Sequence, residues 1–218
     1  NNTRVMIDCG FTVKETIIRC ERLGFLPDQL DAILVTHEHQ DHIKGAGALI
    51  GKFDLPVFAT QGSFLSGKLG NKVDFRRIKP AHNFEIGDLF IEPFSVPHDA
   101  SEPCQFVFET SNGDKAKRLA VLSDLGSITT PIVDKLKTCE ILMLEMNHDY
   151  RMLMEGDYPY SLKQRVAGNL GHLNNEQSLD LLKKLDHSKL ELMVATHLSE
   201  QNNCPTLVQE QLERFFNE

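Results

Sequence analysis

An apolar strand runs directly into a cluster of polar side chains in the stretch Asp31-Ala32-Ile33-Leu34-Val35-Thr36-His37-Glu38-His39-Gln40-Asp41-His42. Residues i and i+2 of an extended segment point the same way, so His37 and His39 can hold one metal ion together. The chain then turns, and Asp41 and His42 at the start of a short helix face a second ion. Imidazole mixed with carboxylate suits Zn²⁺, Mn²⁺ or iron rather than Ca²⁺ or Mg²⁺ alone. The pattern therefore predicts a site for two transition-metal ions.

One segment cannot fill two coordination spheres, so further ligands are expected where other strands end. Three candidates directly follow strand-like runs: His98, Asp124 and His197. Each alone would be interpreted as a capping or surface residue. Together they repeat one arrangement, polar side chains on loops at the ends of rigid strands. A weaker interpretation gives the ligand role of His197 to His172, which lies between two helical stretches.

The rest of the chain alternates short strand-like runs with helical segments. The predicted strands are residues 4–9, 31–36, 55–59, 84–86, 89–96, 105–110, 119–123 and 190–196, the last of them apolar on both faces and therefore central. Ser111 to Asp114 predicts a hairpin turn, Asn174 with Gln177 predicts a capping box, and Pro205 predicts the start of the last helix. We expect sheets with helices on their outer faces, an α/β or α+β sandwich in a single domain of residues 1–218.

Composition and charge are those of an ordinary globular protein, with 218 residues, 41% hydrophobic and 25% charged. No apolar run approaches the ~20 residues of a membrane-spanning helix, and no signal-peptide pattern opens the chain. Five cysteines without a CxxC pair argue against a disulfide framework and for a cytoplasmic location. The net charge of -8 alone disfavours a polyanionic partner, but two bound cations would reverse the local sign.

These residues resemble the motifs of the metallo-β-lactamase superfamily and, within it, of the YycJ (WalJ) subfamily. Asp8, the His37–His42 motif, His98, Asp124 and His197 stand in the order and rough spacing of the superfamily's five motifs. The subfamily resemblance rests on Val35–Gly45 (VTHEHQDHIKG), Pro97–Ala100 (PHDA), Ser123–Gly126 (SDLG), Asn147–Asp149 (NHD), Tyr158–Arg165 (YPYSLKQR), Gly171–Asn175 (GHLNN) and Thr196–Ser199 (THLS). It covers essentially the whole chain.

The resemblance implies an α+β fold, a four-layer αββα sandwich with the metals at the shared edge of its two sheets. It implies this ligand set: His37, His39 and His98 for the first ion, Asp41, His42 and His197 for the second, and Asp124 bridging both. Asp8 would orient the metal loop, the kind of support that ligating histidines need. The superfamily usually begins with about two strands before the Asp8 motif. These strands are absent, so either the sequence is truncated or the first sheet lacks edge strands.

The predicted chemistry is hydrolysis. Two cations about 3.5–4 Å apart can share a bridging water and lower its pKa towards neutrality, which makes a bridging hydroxide available at pH 7. Either Asp41 or Asp124 is placed to accept the proton of the water. A general acid for the leaving group is either His148 or His172.

Phosphodiester cleavage is the favoured reaction, since two-metal sites suit it. Basic residues near the proposed acid histidines are weak candidates for phosphate contacts: Arg151, Lys163 and Arg165. Tyr158 and Tyr160 could stack on a terminal base, or simply pack the loop. The subfamily resemblance implies a 5′-to-3′ exonuclease acting on DNA.

Three other functions share parts of this pattern. A thioesterase of the glyoxalase II type has the same ligands but usually carries a C-terminal helical domain, and this chain ends soon after His197. A β-lactamase would be exported, and some of those enzymes have Cys where this chain has Asp124. A non-catalytic metal-binding regulatory protein is disfavoured because no ligand position is lost.

Overall fold

The computed structural model of the protein describes residues 3–70, 73–110 and 116–217. The chain divides into two compact units, the first of Asn1–Ser95 with Ala100–Cys104 and the second of Val96–Asp99 with Gln105–Glu218. The strands are β1 (Val5–Ile7), β2 (Ala32–Leu34), β3 (Val57–Ala59), β4 (Phe75–Arg77), β5 (Phe84–Ile86), β6 (Leu89–Ser95), β7 (Cys104–Thr110), β8 (Arg118–Leu122), β9 (Ile141–Glu145) and β10 (Leu192–Thr196). The α-helices are α1 (Val13–Arg22), α2 (Gln40–Ile43), α3 (Ala46–Phe53), α4 (Gln61–Leu65), α5 (Thr130–Leu136), α6 (Tyr150–Glu155), α7 (Tyr160–Val166), α8 (Asn175–Lys183) and α9 (Pro205–Asn217).

The first unit is built on a parallel sheet in the order β1-β2-β3-β4. Its second strand, Ala32–Leu34, is buried along its whole length, as expected for a strand of a parallel sheet that is covered on both faces. The core around it contains Ile33, Val57 and residues of α3 such as Leu49. Strands β5 and β6 pair antiparallel within the same unit.

The loop after β1 lies against the start of the helical part of the metal motif. Cys9 N–H donates to the carbonyl of His42 (2.6 Å), and Gly45 N–H donates to the carbonyl of Cys9 (2.8 Å). A Cβ at Gly45 would lie 1.8 Å from the carbonyl oxygen of Phe11. Only glycine allows this approach, so the loop that begins at Asp8 is fixed on the motif.

The second unit contains strands in the order β10-β9-β8-β7, with β7 and β8 antiparallel and β8, β9 and β10 parallel. Its buried core includes Phe106, Leu122 and Leu144. Because the carboxyl ends of parallel strands meet at one edge, the residues that end or follow β8, β9 and β10 lie close together. These include Asp124, Glu145 and His197.

Several sequence predictions are confirmed and one is wrong. The capping box at Asn174 and the start of α9 at Pro205 are confirmed, whereas the predicted turn Ser111 to Asp114 lies outside the described residues. Strand β10 is not central but ends the strand order, with Leu192 51% and Val194 37% exposed. Met193 and Ala195, the residues that alternate with these, line a groove beside α9. An apolar run therefore does not show that both faces of a strand are covered.

Two strands, β4 and β9, are absent from the sequence prediction. The predicted short helix after the metal motif is two helices, α2 and α3, with Lys44 and Gly45 between them. Among the described residues, no helix combines the length and the apolar character needed to cross a membrane. The expectation of a single domain stays a prediction.

Candidate metal centre

Three motif histidines of the first unit lie together. The ring centroids of His37 and His39 are 4.5 Å apart, and those of His37 and His42 are 4.2 Å apart. His37 and His42 are buried. Asp41 is the neighbour of His42 in the chain. Its Oδ2 lies 3.4 Å from His42 Nε2, and its side chain is 70% exposed. The grouping predicted from the spacing of the motif is therefore present within this unit.

Asp8 supports the motif residues through hydrogen bonds of its carboxylate. Its Oδ1 accepts from the Thr36 backbone N–H (2.8 Å) and its Oδ2 from the Thr36 hydroxyl (2.7 Å). The same Oδ2 lies 2.8 Å from His42 Nδ1, and the Thr36 hydroxyl oxygen lies 3.0 Å from His37 Nδ1. With Nδ1 of both histidines engaged, Nε2 is the nitrogen that each can offer to a metal. The supporting role predicted for Asp8 agrees with these contacts.

Asp124 stands between two histidines of the second unit. Its Oδ1 is 3.7 Å from His98 Nε2 and 3.7 Å from His197 Nε2. The other ring nitrogen of His98 lies 3.1 Å from the carbonyl oxygen of Gly171, and burial, the largest effect, lowers the pKa of His98. A buried carboxylate flanked by two imidazoles is a suitable ligand to be shared by two ions.

Glu145 joins two histidines of the second unit, and the sequence analysis did not identify it. Its Oε1 lies 2.7 Å from His172 Nδ1 and 3.1 Å from His197 Nδ1, and its Oε2 accepts from Leu125 N–H (2.8 Å). Burial opposes its ionisation, but the hydrogen bonds from His172 and His197 outweigh burial and hold the pKa of Glu145 below its usual value. The signal that could have revealed it is a carboxylate at the end of the apolar run Ile141–Glu145.

The two candidate ligands His172 and His197 both lie beside Asp124. One ligand atom from each of these three residues lies within 4.8 Å of the others. His197 offers Nε2 towards Asp124, whereas the nitrogen of His172 at 3.7 Å from Asp124 is Nδ1, which already contacts Glu145. The geometry of the second unit therefore favours His197 over His172 as the ligand.

The two candidate acid histidines have different surroundings. His148 is fully buried, and burial lowers its pKa to about 4, so its ring is neutral at pH 7. Its Nδ1 lies 3.2 Å from the side-chain oxygen of Asn147. The side chain of His172 is 21% exposed and its ring is oriented by Glu145. His172 is thus the histidine of the two whose ring is accessible to solvent.

The predicted phosphate-binding residues are engaged by protein groups. Arg151 pairs with Glu155 (2.8 Å), Lys163 Nζ donates to the carbonyl of Met154 (2.7 Å), and Arg165 pairs with Asp99. Tyr160 is 75% exposed, and Tyr158 is half-buried. The phosphate and base contacts of these residues stay predictions.

Backbone conformation sets the site residues apart. Asp8, Asp124 and His197 have φ values of 60°, 54° and 56°, in the left-handed region. In the described part of the chain, the other residues besides glycine with positive φ are Asp54 and Ala81. Such conformations are uncommon outside glycine and concentrate at functional sites.

The donors present fit transition-metal ions. Imidazole nitrogens and carboxylate oxygens are the ligands of Zn²⁺, Mn²⁺ and iron sites, and each buried histidine described above has its second nitrogen occupied by a protein group. Whether the histidines of the first unit and the Asp124 group serve the same pair of ions stays a prediction.

Comparison with known proteins extends these observations. The family described as "Beta-lactamase superfamily domain" matches residues 3–198. The chain is 32% identical over 208 residues to the exodeoxyribonuclease YycJ of Bacillus anthracis, covering 94% of this chain and 77% of that protein. It is 31% identical over 213 residues to the exodeoxyribonuclease WalJ of Streptococcus pneumoniae, with the same coverage of 94% and 77%.

Solved structures show the fold. The metallo-β-lactamase fold protein YhfI of Bacillus subtilis superposes with a TM-score of 0.72 at 17% identity, covering 98% of this chain and 81% of that one. At this identity the similarity establishes the fold alone. It confirms the α+β fold class that the sequence predicts.

Proposed function

Because this chain belongs to the metallo-β-lactamase superfamily and is a metal-dependent hydrolase, we propose that it is a two-metal phosphodiesterase that degrades DNA as a 5′-to-3′ exonuclease. The observation that carries the proposal is Asp124 between His98 and His197, with both Nε2 atoms 3.7 Å from its Oδ1. A carboxylate in that position suits the bridging ligand of a two-metal centre, and such centres catalyse phosphodiester hydrolysis. Two relatives that match 94% of this chain are exodeoxyribonucleases, which supports DNA as the substrate.

The proposed ligands are those implied by the sequence. His37, His39 and His98 would hold one ion, Asp41, His42 and His197 would hold the other, and Asp124 would be available to both. The ions are Zn²⁺ or Mn²⁺, with iron as a further candidate. When bound, they supply Lewis-acid activation of water and neutralise charge on the phosphate.

The side chains of the protein orient the reacting groups and move protons. Asp41 accepts the proton of the attacking water, because its side chain is 70% exposed and can pass the proton to solvent, whereas Asp124 is buried. His172 donates a proton from Nε2 to the leaving oxygen, while Glu145 holds its Nδ1. Proton transfer by a positioned histidine typically accelerates a reaction by about 10²–10⁴-fold. His148 stays neutral because burial lowers its pKa to about 4, so it is not the proton donor.

A substrate panel tests the proposal. Metal-loaded protein is incubated with end-labelled single-stranded and double-stranded DNA and RNA, with S-lactoylglutathione and with nitrocefin, in Mn²⁺ or Zn²⁺. We expect mononucleotides from 5′-ends of DNA and no turnover of the thioester or the β-lactam. Thioester hydrolysis without DNA cleavage would replace the proposal by a glyoxalase II-type activity.

Metal analysis completes the test. We expect close to two transition-metal ions per chain after gentle purification, and recovery of activity when an emptied chain is reconstituted. A chain that binds none, and gains nothing on reconstitution, contradicts the mechanism. A location in the cytoplasm is part of the proposal, in line with five free cysteines in the structure.

A further inference from the structure

The carboxyl edge of the first sheet carries more than the metal motif. Its four strands are parallel, so their carboxyl ends lie at one edge. Strand β2 leads to His37 at that edge, and β4 leads to Ile78 and Lys79. The ladder continues past β4, since Ile78 N–H donates to the carbonyl of Ala59 (2.8 Å).

The segment that reaches this edge is basic although the protein is acidic. Between Ser66 and Lys79 the sequence contains five basic residues and one acidic residue, in a chain of net charge -8. The acidic residue, Asp74, pairs with Arg76 (3.0 Å), whose guanidinium lies over the ring of Phe58. The other basic residues in the described part of this segment are Lys68, Arg77 and Lys79.

Lys68 lies at the metal motif itself. Its Nζ donates to the backbone carbonyl of Glu38, between His37 and His39, at 2.6 Å. The carboxylate of Glu38 accepts instead from the backbone N–H and the hydroxyl of Ser101, both at 2.8 Å. The charge of Lys68 is therefore held at the motif by a neutral carbonyl.

Arg77 lies on the side of the sheet that packs against α4, the helix that Lys68 follows. Residues i and i+2 of a strand share a face, so Arg77 shares a face with Phe75. The ring of Phe75 stacks on Phe64 of α4 at 3.9 Å, and Lys68 follows α4 by three residues. Arg77 and Lys79 are both exposed.

Carboxylates neutralise several basic residues outside this segment. Ion pairs engage Arg19, Lys117, Arg118, Lys137, Arg151, Arg165 and Lys183. Within residues 3–70, 73–110 and 116–217, no ion pair is found for Lys68, Arg77 or Lys79. The positive charges of these three residues are therefore not balanced by a carboxylate in the described part of the chain, and an external anion can pair with them.

We propose that Lys68, Arg77 and Lys79, here called the basic strip, bind the phosphate backbone of the DNA strand beside the metal motif. The inference rests on the proposed function and names the surface that holds its substrate. A strongly acidic protein needs local cations to bind a polyanion, and the strip supplies them at the sheet edge that carries His37 and His39. Phosphate contacts carry no base information, so the strip binds DNA without sequence preference.

The test compares two triple variants that change the net charge equally. The strip variant is Lys68→Glu/Arg77→Glu/Lys79→Glu, and the control variant is Lys14→Glu/Arg22→Glu/Lys184→Glu, at exposed positions of α1 and the end of α8. Fluorescence anisotropy measures the affinity of the metal-loaded proteins for nuclease-resistant phosphorothioate single-stranded DNA over a series of KCl concentrations. Melting temperature and metal content establish that each variant is folded.

The salt dependence decides the outcome. Loss of three phosphate contacts makes the negative slope of log K against log salt shallower by about 2, since each contact contributes about −0.7 for single strands. We expect this change, with at least a tenfold loss of affinity at low salt, in the strip variant and not in the control. An unchanged slope in the strip variant, or an equal loss in both variants, overturns the proposal. If the triple variant does not fold, the three single reversals replace it, and each is expected to make the negative slope shallower by about 0.7.

The two proposals fail separately. If DNA binding depends on the strip but the protein does not cleave DNA, the exonuclease proposal is wrong and the proposal for the strip stands. If the protein cleaves DNA but its affinity for DNA does not depend on the strip, the exonuclease proposal stands and the proposal for the strip is wrong. If the wild-type protein binds no DNA, the proposal that the strip binds DNA is wrong.

Discussion

Oε1 of Glu145 lies 3.1 Å from Nδ1 of His197, and the carboxylate that makes this contact is fully buried. The contact fixes the ring so that Nε2 faces Asp124. The same oxygen orients His172, so one acid determines the direction of two imidazoles.

Replacing Glu145 by Gln is expected to reduce hydrolysis by about 10–100-fold, because the amide is neutral and cannot accept from both rings and from Leu125 as the carboxylate does. Metal content and kcat report the effect. Glu191→Gln, the same change at an exposed site that pairs with Lys117, is the control and is expected to leave both unchanged. Equal activity in the two variants would show that Glu145 has no part in orienting the histidines.

Asp8→Asn is expected to lower metal affinity by about 10–100-fold, because the amide NH₂ cannot accept from both Thr36 and His42. Zinc titration with a competing chelator measures the change. Asp54→Asn is the matched control, since Asp54 has the same left-handed backbone, with φ of 52°, at an exposed helix end. A similar loss in the control would mean that backbone conformation, rather than the carboxylate, is responsible.

His39→Ala and Asp124→Ala are each expected to abolish hydrolysis while circular dichroism stays that of the wild type. Both remove a proposed metal ligand, and the site loses Lewis-acid activation with it. His82→Ala removes an exposed histidine from the turn before β5 and is expected to be fully active. Normal turnover by either ligand variant would exclude that residue from the centre.

Gly45→Ala is expected to destabilise the fold by about 1–3 kcal/mol, because its Cβ would overlap the carbonyl of Phe11. Gly51→Ala in α3 meets no atom within 4 Å and is expected to stabilise by up to about 1 kcal/mol, as alanine is the better helix former. Urea denaturation measures both. A neutral Gly45→Ala would show that the loop after Asp8 can move away from the motif.

Cys204 is expected to be the first cysteine to react with iodoacetamide. It is exposed, and hydrogen bonds from the backbone of Leu207 and Thr206 at the start of α9 lower its pKa. A lowered pKa places the reactive thiolate at lower pH, whereas burial raises the pKa of Cys9 and Cys104. Mass spectrometry of native protein, sampled over time at several pH values, identifies the site. Faster labelling of a buried cysteine contradicts the expectation.

The grouping of the motif histidines follows from local sequence. The motif histidines lie within six residues of each other, and a strand followed by a turn leaves them little choice of position. Asp124 and His197, which directly follow apolar runs, can be named as candidates from the sequence because a polar residue after a strand is a strong signal. Their role as metal ligands stays a prediction.

The rest depends on contacts between distant segments. Glu145 was missed because β9 was not predicted, and its partners His172 and His197 come from 27 and 52 residues away. The edge position of β10 was also missed, since an apolar run gives no information about which neighbour covers it. Short strands such as β4, with two arginines in three residues, owe their existence to pairing with β3 rather than to their own composition.

At Asp8, Asp124 and His197 the left-handed backbone costs stability, while the side chain serves the proposed metal centre. Glycine at any of these positions would relieve a steric cost of about 1 kcal/mol. Selection for thermal resistance alone does not preserve Asp124 and His197, and glycine at either position would remove a proposed metal ligand. At Asp8, glycine would also leave Thr36 and His42 without the carboxylate that they contact. Screens for heat tolerance in this protein have to score turnover in the same step, and Asp54, with the same conformation away from the centre, is where a stabilising glycine can be introduced without that conflict.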